Sequence, residues 1–206
     1  MKISFAICVC NELEEIKRLV LFLFEHKRKE DEIVILYDEK NGNSEILDFL
    51  LPYNKFPHVQ TWRGFDFEGN FADWKNKLND YCQGDYIYQI DADEMVSEYI
   101  VKNLNQILEL NPKVDLIFVP RINTVNGITQ EHINKWGWNV NEKGWVNFPD
   151  AQGRIYRKGM SWYGKVHERI YGGQKFSSLP LDEEYCIQHH KTIERQEKQN
   201  NYYSSL

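Results

Sequence analysis

The stretch Gly84-Asp85-Tyr86-Ile87-Tyr88-Gln89-Ile90-Asp91-Ala92-Asp93-Glu94 predicts a hydrophobic strand that ends in acidic residues. Residues 85–90 form the predicted strand, and the acidic turn follows it directly. In open α/β sheets, ligands bind at the carboxyl ends of the strands. We therefore expect the acidic turn to lie in a binding site.

Strands and helices alternate along the first 120 residues. Apolar, β-prone runs predict strands at 3–10, 32–37, 58–62, 85–90 and 115–120. Apolar residues at helical spacing and flanking breakers predict helices at 13–24, 45–51, 70–82 and 99–110. This alternation predicts the α/β class, with a mainly parallel, twisted sheet that is flanked by helices.

The second part of the chain differs in composition. Gly, Asn and Trp become frequent beyond residue 120, which predicts an irregular half of loops and short strands, and residues 192–206 form a polar tail that is predicted to be helical. A length of 206 residues fits one domain, 1–206, with halves at 1–115 and 116–206. The final helix lacks a capping signal, so we also hypothesise that the chain is part of a longer polypeptide.

Composition restricts the class of partner. A formal net charge of -6 gives no general attraction to nucleic acid or to an anionic membrane. No apolar run approaches the roughly 18–20 residues of a membrane span, and no signal peptide is recognisable. The four cysteines lack zinc-site spacing, which is typical of unpaired thiols in a reducing compartment. We therefore expect a cytoplasmic protein.

The acidic turn has the chemistry of a metal site. Asp91 and Asp93 present hard oxygen ligands that suit Mg²⁺ or Mn²⁺ and leave coordination positions open for phosphate oxygens. Repulsion among three neighbouring acids costs stability unless a cation relieves it. The alternative is an ordinary solvated acidic turn, because short D-x-D sequences are common.

A set of short motifs in fixed order connects the chain to a known family. The motifs are Cys10-Asn11-Glu12 after the first strand, Asp38 at the end of the second, Phe71-Ala72-Asp73-Trp74-Lys75-Asn76, the stretch 84–94, and the later segments 150–156 and 162–168. Their order and spacing resemble the family 2 glycosyltransferases, which are inverting enzymes with the nucleotide-binding GT-A fold. Lys75 departs from the family pattern, in which an arginine stands at that position.

The resemblance implies a donor site in the half 1–115. The donor would be a UDP- or GDP-linked sugar, and the residues implied to contact it are Cys8, Cys10, Glu12, Asp38, Lys75, Asp91 and Ala92. It also implies Mn²⁺ or Mg²⁺ held by Asp91, Asp93 and a late histidine, for which His189 is preferred over its neighbour His190. The alternatives are that Asp38 caps the following helix, that Lys75 is an ordinary exposed lysine, and that both histidines lie at the surface.

The half 116–206 is implied to bind a glycan acceptor. Glu168 is the expected catalytic base, because a carboxylate can accept the proton of an attacking hydroxyl. His167 is the rival base, and the alternative for Glu168 is a structural ion pair with Arg169 or Arg154. The acceptor-side candidates are Trp136, Trp138, Gln152, Arg154 and His167. The tryptophans, with Trp145, could stack on sugar faces or simply pack a small loop region.

Together these features predict a metal-dependent inverting glycosyltransferase that moves a sugar to a hydroxyl of a glycan or other acceptor. A sugar nucleotidyltransferase is one alternative, although the acidic Asn11-Glu12-Leu13-Glu14-Glu15 stands where such enzymes carry a basic, Gly-rich phosphate loop. The second alternative is a catalytically inactive module of the same fold that binds a glycan.

Overall fold

A computed structural model describes residues 1–56 and 59–203 of the protein. Within these residues the strands are β1 (Ile3–Val9), β2 (Glu32–Asp38), β3 (Val59–Phe65), β4 (Tyr86–Asp91), β5 (Glu94–Met95), β6 (Leu116–Val119), β7 (Arg121–Asn126), β8 (Gln152–Arg157), β9 (Ser161–Tyr163), β10 (Arg169–Tyr171), β11 (Phe176–Ser178) and β12 (Ile187–Thr192). The α-helices are α1 (Leu13–His26), α2 (Ser44–Leu50), α3 (Phe71–Tyr81), α4 (Glu98–Leu110), α5 (Gln130–Trp136) and α6 (Ile193–Tyr203). Short 3₁₀ helices cover Leu51–Lys55 and Glu183–Tyr185.

The central sheet has the strand order β11-β6-β8-β4-β1-β2-β3 among the described residues. β1 lies between β2 and β4, parallel to both, and β3 extends the parallel part beyond β2. β8 enters antiparallel between β4 and β6. Strands from both halves of the chain therefore share one sheet, and the carboxyl ends of β1, β2 and β4 meet at one edge.

Burial on both faces explains the sequence of the inner strands. Every residue of β2 is buried, and β1 is buried except at Cys8 near its end. One face of the sheet packs against α1 and α4, whose buried apolar residues recur at helical spacing. The other face packs against α3. The continuous apolar runs at 3–10 and 32–37 are thus those of strands enclosed between two helical layers.

A second sheet lies beside the acidic turn and consists of β5, β12 and β7, in that order. β12 is antiparallel to β5 and parallel to β7, and its register sets His189 opposite Glu94 on one side and Asn123 on the other. Glu94 ends the acidic turn. This small sheet therefore brings a histidine from the end of the chain to the carboxyl edge of β4.

The structure confirms the predicted fold class, with a central sheet flanked by helices. The second half is more regular than expected, because β7, β8 and β12 each have six residues and α5 was not predicted. The predicted strand 58–62 is observed as Val59–Phe65, and His58 lies outside the described residues, as do positions 204–206 of the predicted terminal helix. Within the described part of the chain, no helix is both long enough and apolar enough for a membrane span.

Candidate active site

The predicted donor-side residues lie along the carboxyl edge of the parallel strands. Asp91 is the last residue of β4 and pairs in register with Cys8 of β1, while Asp38 is the last residue of β2. Cys10 follows β1, and its thiol lies 3.8 Å from a carboxylate oxygen of Asp38. Burial raises the pKa of the Cys8 thiol above its usual range and that of Cys10 to about 12, so both are neutral thiols at physiological pH.

Asp91 is held by a buried guanidinium group. Arg154 of β8 donates from Nη2 to Asp91 Oδ2 and to Glu94 Oε1, each at 2.7 Å. The Arg154 and Glu94 side chains are almost completely buried, whereas Asp91 keeps about a third of its side-chain surface exposed. Burial alone would raise the pKa of Asp91, but Arg154 and then Lys75 outweigh it and hold this pKa well below its usual range. Asp91 is therefore an ionised carboxylate that is fixed in orientation.

Lys75 connects the donor-side turn to the predicted base. Its Nζ lies 2.5 Å from Glu168 Oε1 and 3.7 Å from Asp91 Oδ1, and only 9% of its side chain is exposed. The ammonium also lies 4.6 Å from the centre of the Trp162 ring. Asn76, the next residue of α3, exchanges hydrogen bonds of 2.9 and 2.7 Å with the main chain of Trp162. The segment that carries Glu168 is thus anchored to α3.

Local capping explains why α3 presents Lys75 in this way. Asn70 is the N-cap, and its side-chain oxygen accepts from the backbone N–H groups of Ala72 and Asp73. Such a cap contributes about 1 kcal/mol to helix stability. The helix therefore begins at a defined residue, and Lys75 follows in its second turn, where it reaches Asp91, Glu168 and the ring of Trp162.

Asp93 and His189 form a second pair at the turn. Asp93 Oδ2 lies 3.3 Å from His189 Nε2, and both side chains are largely buried. His189 Nδ1 lies 2.7 Å from Asn123 Oδ1. Burial alone would raise the pKa of Asp93, but the hydrogen bond and charge of His189 outweigh it and lower this pKa to about 2. His190 faces the other way, is exposed, and pairs with Thr124.

The tautomer of His189 follows from its neighbours. Asn123 Nδ2 donates to Asp150 Oδ2 at 2.8 Å, and a carboxylate oxygen can only accept, so the Asn123 amide is fixed with its oxygen toward His189. Asn123 Oδ1 must accept from the Nδ1–H of His189. With Nδ1 protonated, Nε2 donates to Asp93 in the charged imidazolium, whereas in the neutral ring Nε2 carries the lone pair that a cation would bind. Asp150 is itself fixed by Arg121, at 2.6 Å, and by Gln152, at 2.6 Å.

This pair fits a divalent cation. A carboxylate oxygen and an imidazole nitrogen converge, and the histidine has the second hydrogen bond that metal-ligating histidines usually make. Among the described residues there is no set of three His, Cys, Asp or Glu side chains that could hold a metal together. Asp91 is turned toward Arg154 and Lys75 instead. A cation at Asp93 and His189 would therefore take its remaining ligands from phosphate oxygens and water, as Mg²⁺ commonly does.

On the nucleoside side, the predicted acids are engaged with their own loops. Asp38 accepts from the backbone N–H groups of Lys40, Asn41 and Phe67, at 3.2 to 3.4 Å. Glu12 accepts from the backbone N–H groups of Cys10 and Asn11 at 3.0 Å. These contacts shape the loops after β2 and β1. Ala92 is buried between the two aspartates of the turn.

Sequence reasoning missed Arg195. This residue of α6 lies 3.5 Å from Glu12, 2.6 Å from Glu15 and 3.4 Å from Asp93. It joins the start of α1 to the candidate metal ligand, and it adds positive charge where a diphosphate is expected. Arg121, Asn123 and Asp150 were missed as well; only their proximity across the small sheet identifies them.

The acceptor-side candidates are distributed over different places. Arg154 lies beneath Asp91 rather than on an open surface, and Gln152 donates to Asp150. Trp136 and Trp138 pack against each other, with ring centres 4.7 Å apart, and Trp136 stacks on His132. His167 precedes Glu168, is exposed, and has a φ of 55°. Of these candidates, His167 is the one that adjoins Glu168 in the sequence.

Comparisons with known proteins agree with this architecture. A family model described as "Glycosyl transferase family 2" matches residues 4–195. A comparison with curated proteins found no match. The crystal structure of S. aureus TarS 1-349 superimposes with a TM-score of 0.64 at 14% identity, covering 92% of this chain and 60% of that chain. The same protein in complex with UDP-GlcNAc gives 0.65 at 15% identity, covering 93% and 59%.

The chain thus spans less than two thirds of the length of these structural neighbours. At this level of identity the likeness shows the fold, and the GT-A fold that the sequence motifs imply is confirmed.

Proposed function

The chain belongs to glycosyl transferase family 2, a family of glycosyltransferases, as the match over residues 4–195 shows, and we propose that it is a metal-dependent inverting glycosyltransferase. The donor is a nucleoside-diphosphate sugar, and the acceptor is a hydroxyl group of a glycan. The UDP-GlcNAc complex of the neighbour TarS supports testing UDP-linked donors first.

One observation carries the proposal: Lys75 joins Asp91, on the donor side, to Glu168, on the acceptor side. Lys75 Nζ lies 3.7 Å from Asp91 Oδ1 and 2.5 Å from Glu168 Oε1, so the strand-end carboxylate and the predicted base share one ammonium group. An inverting transfer needs a base on the face of the sugar opposite the leaving diphosphate, and the closeness of Glu168 to the end of β4 supports this role. A site for adenylyl or uridylyl transfer would not need a carboxylate base at Glu168.

The reaction assigns each group a task. The oxygen of the acceptor hydroxyl attacks the anomeric carbon, and the new glycosidic bond forms as the bond from that carbon to the phosphate oxygen breaks. Glu168 accepts the hydroxyl proton, and the electron pair of the broken bond leaves on the nucleoside diphosphate. Lys75 orients Glu168, while Arg154 fixes Asp91 against the donor sugar or ribose. Arg195 adds positive charge near the departing diphosphate.

Asp93 and His189 would hold the divalent cation. When bound there, Mn²⁺ or Mg²⁺ supplies positive charge to the diphosphate oxygens. Asn123 and Asp150 keep the lone pair of His189 Nε2 directed at the site. The nucleoside lies toward Asp38, Cys10 and Glu12, where it competes with loop N–H groups for the Asp38 carboxylate.

The experiment is a thermal-shift panel of UDP, GDP, ADP and CDP, each with Mn²⁺, Mg²⁺ or EDTA, followed by a nucleotide-release assay with the matching sugar nucleotide. We expect stabilisation by UDP or GDP only with a metal ion. Asp93→Asn should abolish this stabilisation and lower release at least tenfold while the protein remains folded. Asp80→Asn, which changes an exposed carboxylate on α3, is the control and should behave as the wild type.

The outcomes separate the proposal from its competitors. If no nucleoside diphosphate stabilises the protein under any metal condition, the proposal fails. If the protein binds glycans but does not release nucleotide from any sugar nucleotide, it is an inactive binding module. Stabilisation by a sugar 1-phosphate with a nucleoside triphosphate, and not by a diphosphate, would indicate a nucleotidyltransferase.

A further inference from the structure

A cleft beside the predicted base has no role in the donor site. It has a volume of about 290 Å³ and is lined by Asn70, Ala72, Asp73, Trp162, Tyr163, Gly164 and Lys165. The cleft lies between the beginning of α3 and the end of β9. A second cleft of about 350 Å³, beside Phe67 and Trp74, shares Asn70 and Asp73 with it. The two clefts thus adjoin at the first turn of α3, and together they are called the groove.

One wall of the cleft packs against the backbone of Glu168. Gly164 lines the cleft, and a Cβ atom added there would lie 3.5 Å from the Cα of Glu168. The backbone N–H of Phe71 donates to the carbonyl of Lys165 at 3.0 Å, which fixes this wall to α3. The cleft therefore lies next to the segment that carries Glu168.

The lining has the character of a carbohydrate site. Tyr163 lines the cleft and is 80% exposed, so its ring is open to a molecule bound there. Aromatic rings match the apolar C–H face of a pyranose. Asp73 is exposed as well, and its carboxylate can accept hydrogen bonds from sugar hydroxyls.

The charge of the groove selects among saccharides. The two clefts contain the carboxylates of Asp66, Glu68 and Asp73 against the ammonium groups of Lys77 and Lys165. Lys77 is already engaged over the Phe65 ring at 3.6 Å. The groove is therefore acidic and disfavours saccharides that carry phosphate, sulfate or carboxylate groups.

We propose that this cleft is the acceptor subsite and that it binds a neutral pyranose on Tyr163, with the reacting hydroxyl directed to Glu168. The groove past Phe67 continues along the next sugar of an oligosaccharide. The assignment of the cleft to an acceptor rests on the proposed glycosyltransferase function, whereas the binding of a neutral saccharide at Tyr163 can be tested without it.

The test uses saturation-transfer NMR on the full chain with cellotetraose, maltotetraose, chitotetraose and the anionic tetragalacturonate. Tyr163→Ala should weaken binding of the neutral oligosaccharide at least fivefold. Tyr171→Ala is the matched control: Tyr171 is equally exposed, at 80%, and among the described residues it does not line the cleft. It should bind as the wild type does. Thermal shifts with UDP, GDP and Mn²⁺ should be the same in both variants and the wild type.

Each outcome decides the inference. Loss of binding in Tyr163→Ala alone supports the subsite, and it does so even if no nucleotide binds, in which case only the glycosyltransferase proposal falls. Absence of saturation transfer to every neutral oligosaccharide, equal losses in the two variants, or preferred binding of tetragalacturonate would overturn it. A change of molar mass in Tyr163→Ala, measured by light scattering, would assign the tyrosine to a protein interface and would also overturn it.

Discussion

Replacement of Arg154 by methionine tests the buried network beneath Asp91. Methionine retains much of the packing volume but removes the charge that Asp91 and Glu94 share at 2.7 Å each. The removal of one partner from a buried ion pair costs about 3–5 kcal/mol, because it leaves a buried charge without compensation. Glu94 keeps a second partner, Arg121, at 2.9 Å, so the loss falls mainly on Asp91.

A second effect reduces this cost. The Nε and Nη1 atoms of Arg154 are buried and have no hydrogen-bond partner within the described structure. An unsatisfied buried donor costs about 1–3 kcal/mol, and methionine removes both donors. At about 1 kcal/mol for each donor, this relief offsets about 2 kcal/mol of a loss of about 4 kcal/mol, so we expect Arg154→Met to lower the free energy of unfolding by about 2 kcal/mol near pH 7. For a domain of this length, that corresponds to a fall in Tm of roughly 4–8 °C.

The pH dependence identifies the cause. The folded-state pKa of Asp91 lies well below that of the unfolded chain, so its contribution to stability is present above about pH 4 and is lost as the pH falls further. In Arg154→Met this contribution is reduced, because Arg154 makes the largest favourable contribution and only Lys75 remains close to Asp91. The difference in unfolding free energy between variant and wild type should therefore be largest near neutral pH and should narrow below about pH 4.

Urea denaturation, followed by circular dichroism between pH 3 and 7, measures both effects. In the double variant Arg154→Met/Asp91→Asn, about 1 kcal/mol or more should be recovered, because position 91 then carries no charge that has lost its hydrogen-bonded guanidinium. Lys102→Met breaks an exposed ion pair with Glu98 and should leave the Tm unchanged. A loss below about 1 kcal/mol for Arg154→Met, or a loss that is independent of pH, would refute the reasoning.

Three further changes test the rest of the site. Asn123→Leu removes the acceptor that fixes the His189 tautomer, and it should weaken Mn²⁺ binding about 10- to 100-fold, measured by electron paramagnetic resonance of free Mn²⁺ in the presence of UDP; an unchanged affinity would contradict the assignment. Asp93→Asn should reduce the loss of unfolding free energy between about pH 4 and pH 2. In the wild type, the Asp93 carboxylate has a folded-state pKa of about 2, and its stabilising contribution is lost as the pH falls through this range. Urea titrations at each pH would measure the loss, and an equal loss in variant and wild type would argue against the His189 contact. Lys75→Met should lower nucleotide release at least tenfold with little change in the affinity for UDP, measured by calorimetry, and a reverse pattern would place Lys75 on the nucleotide rather than on Glu168.

The sequence was sufficient to predict the donor-side edge of the sheet. The carboxyl ends of parallel strands meet at one edge, so strands predicted to end at or near Cys10, Asp38 and Asp91 imply that these residues share that edge. The inner strands were recognisable because burial on both faces leaves continuous apolar runs. The observed ends of these strands differ from the predicted ends by one or a few residues, because hydrogen bonding at the end of a strand depends on its neighbours.

Contacts between distant segments were not predictable from the pattern. Lys75 and Glu168 are 93 residues apart, and their ion pair exists because β9 packs on α3 through Trp162 and Asn76. The alternatives for Glu168 named Arg169 and Arg154 as its partner, and the structure shows Lys75 instead. Arg154 was expected to face the acceptor because β8 was not foreseen as an insertion between β4 and β6, which directs this residue beneath the acidic turn.

The structure divides the acidic turn into two parts with different chemistry. Asp91 lies between Arg154 and Lys75, so its charge is already compensated by the protein and it has little need of a metal ion. Asp93 faces His189 and Arg195, where a lone pair and a carboxylate converge and a diphosphate could complete the coordination. The repulsion between the two aspartates is thus relieved by different positive side chains, which are Arg154 and Lys75 at Asp91 and Arg195 at Asp93. We therefore expect loss of the Asp91 charge to affect folding and donor orientation, and loss of the Asp93 charge to affect metal-dependent nucleotide binding.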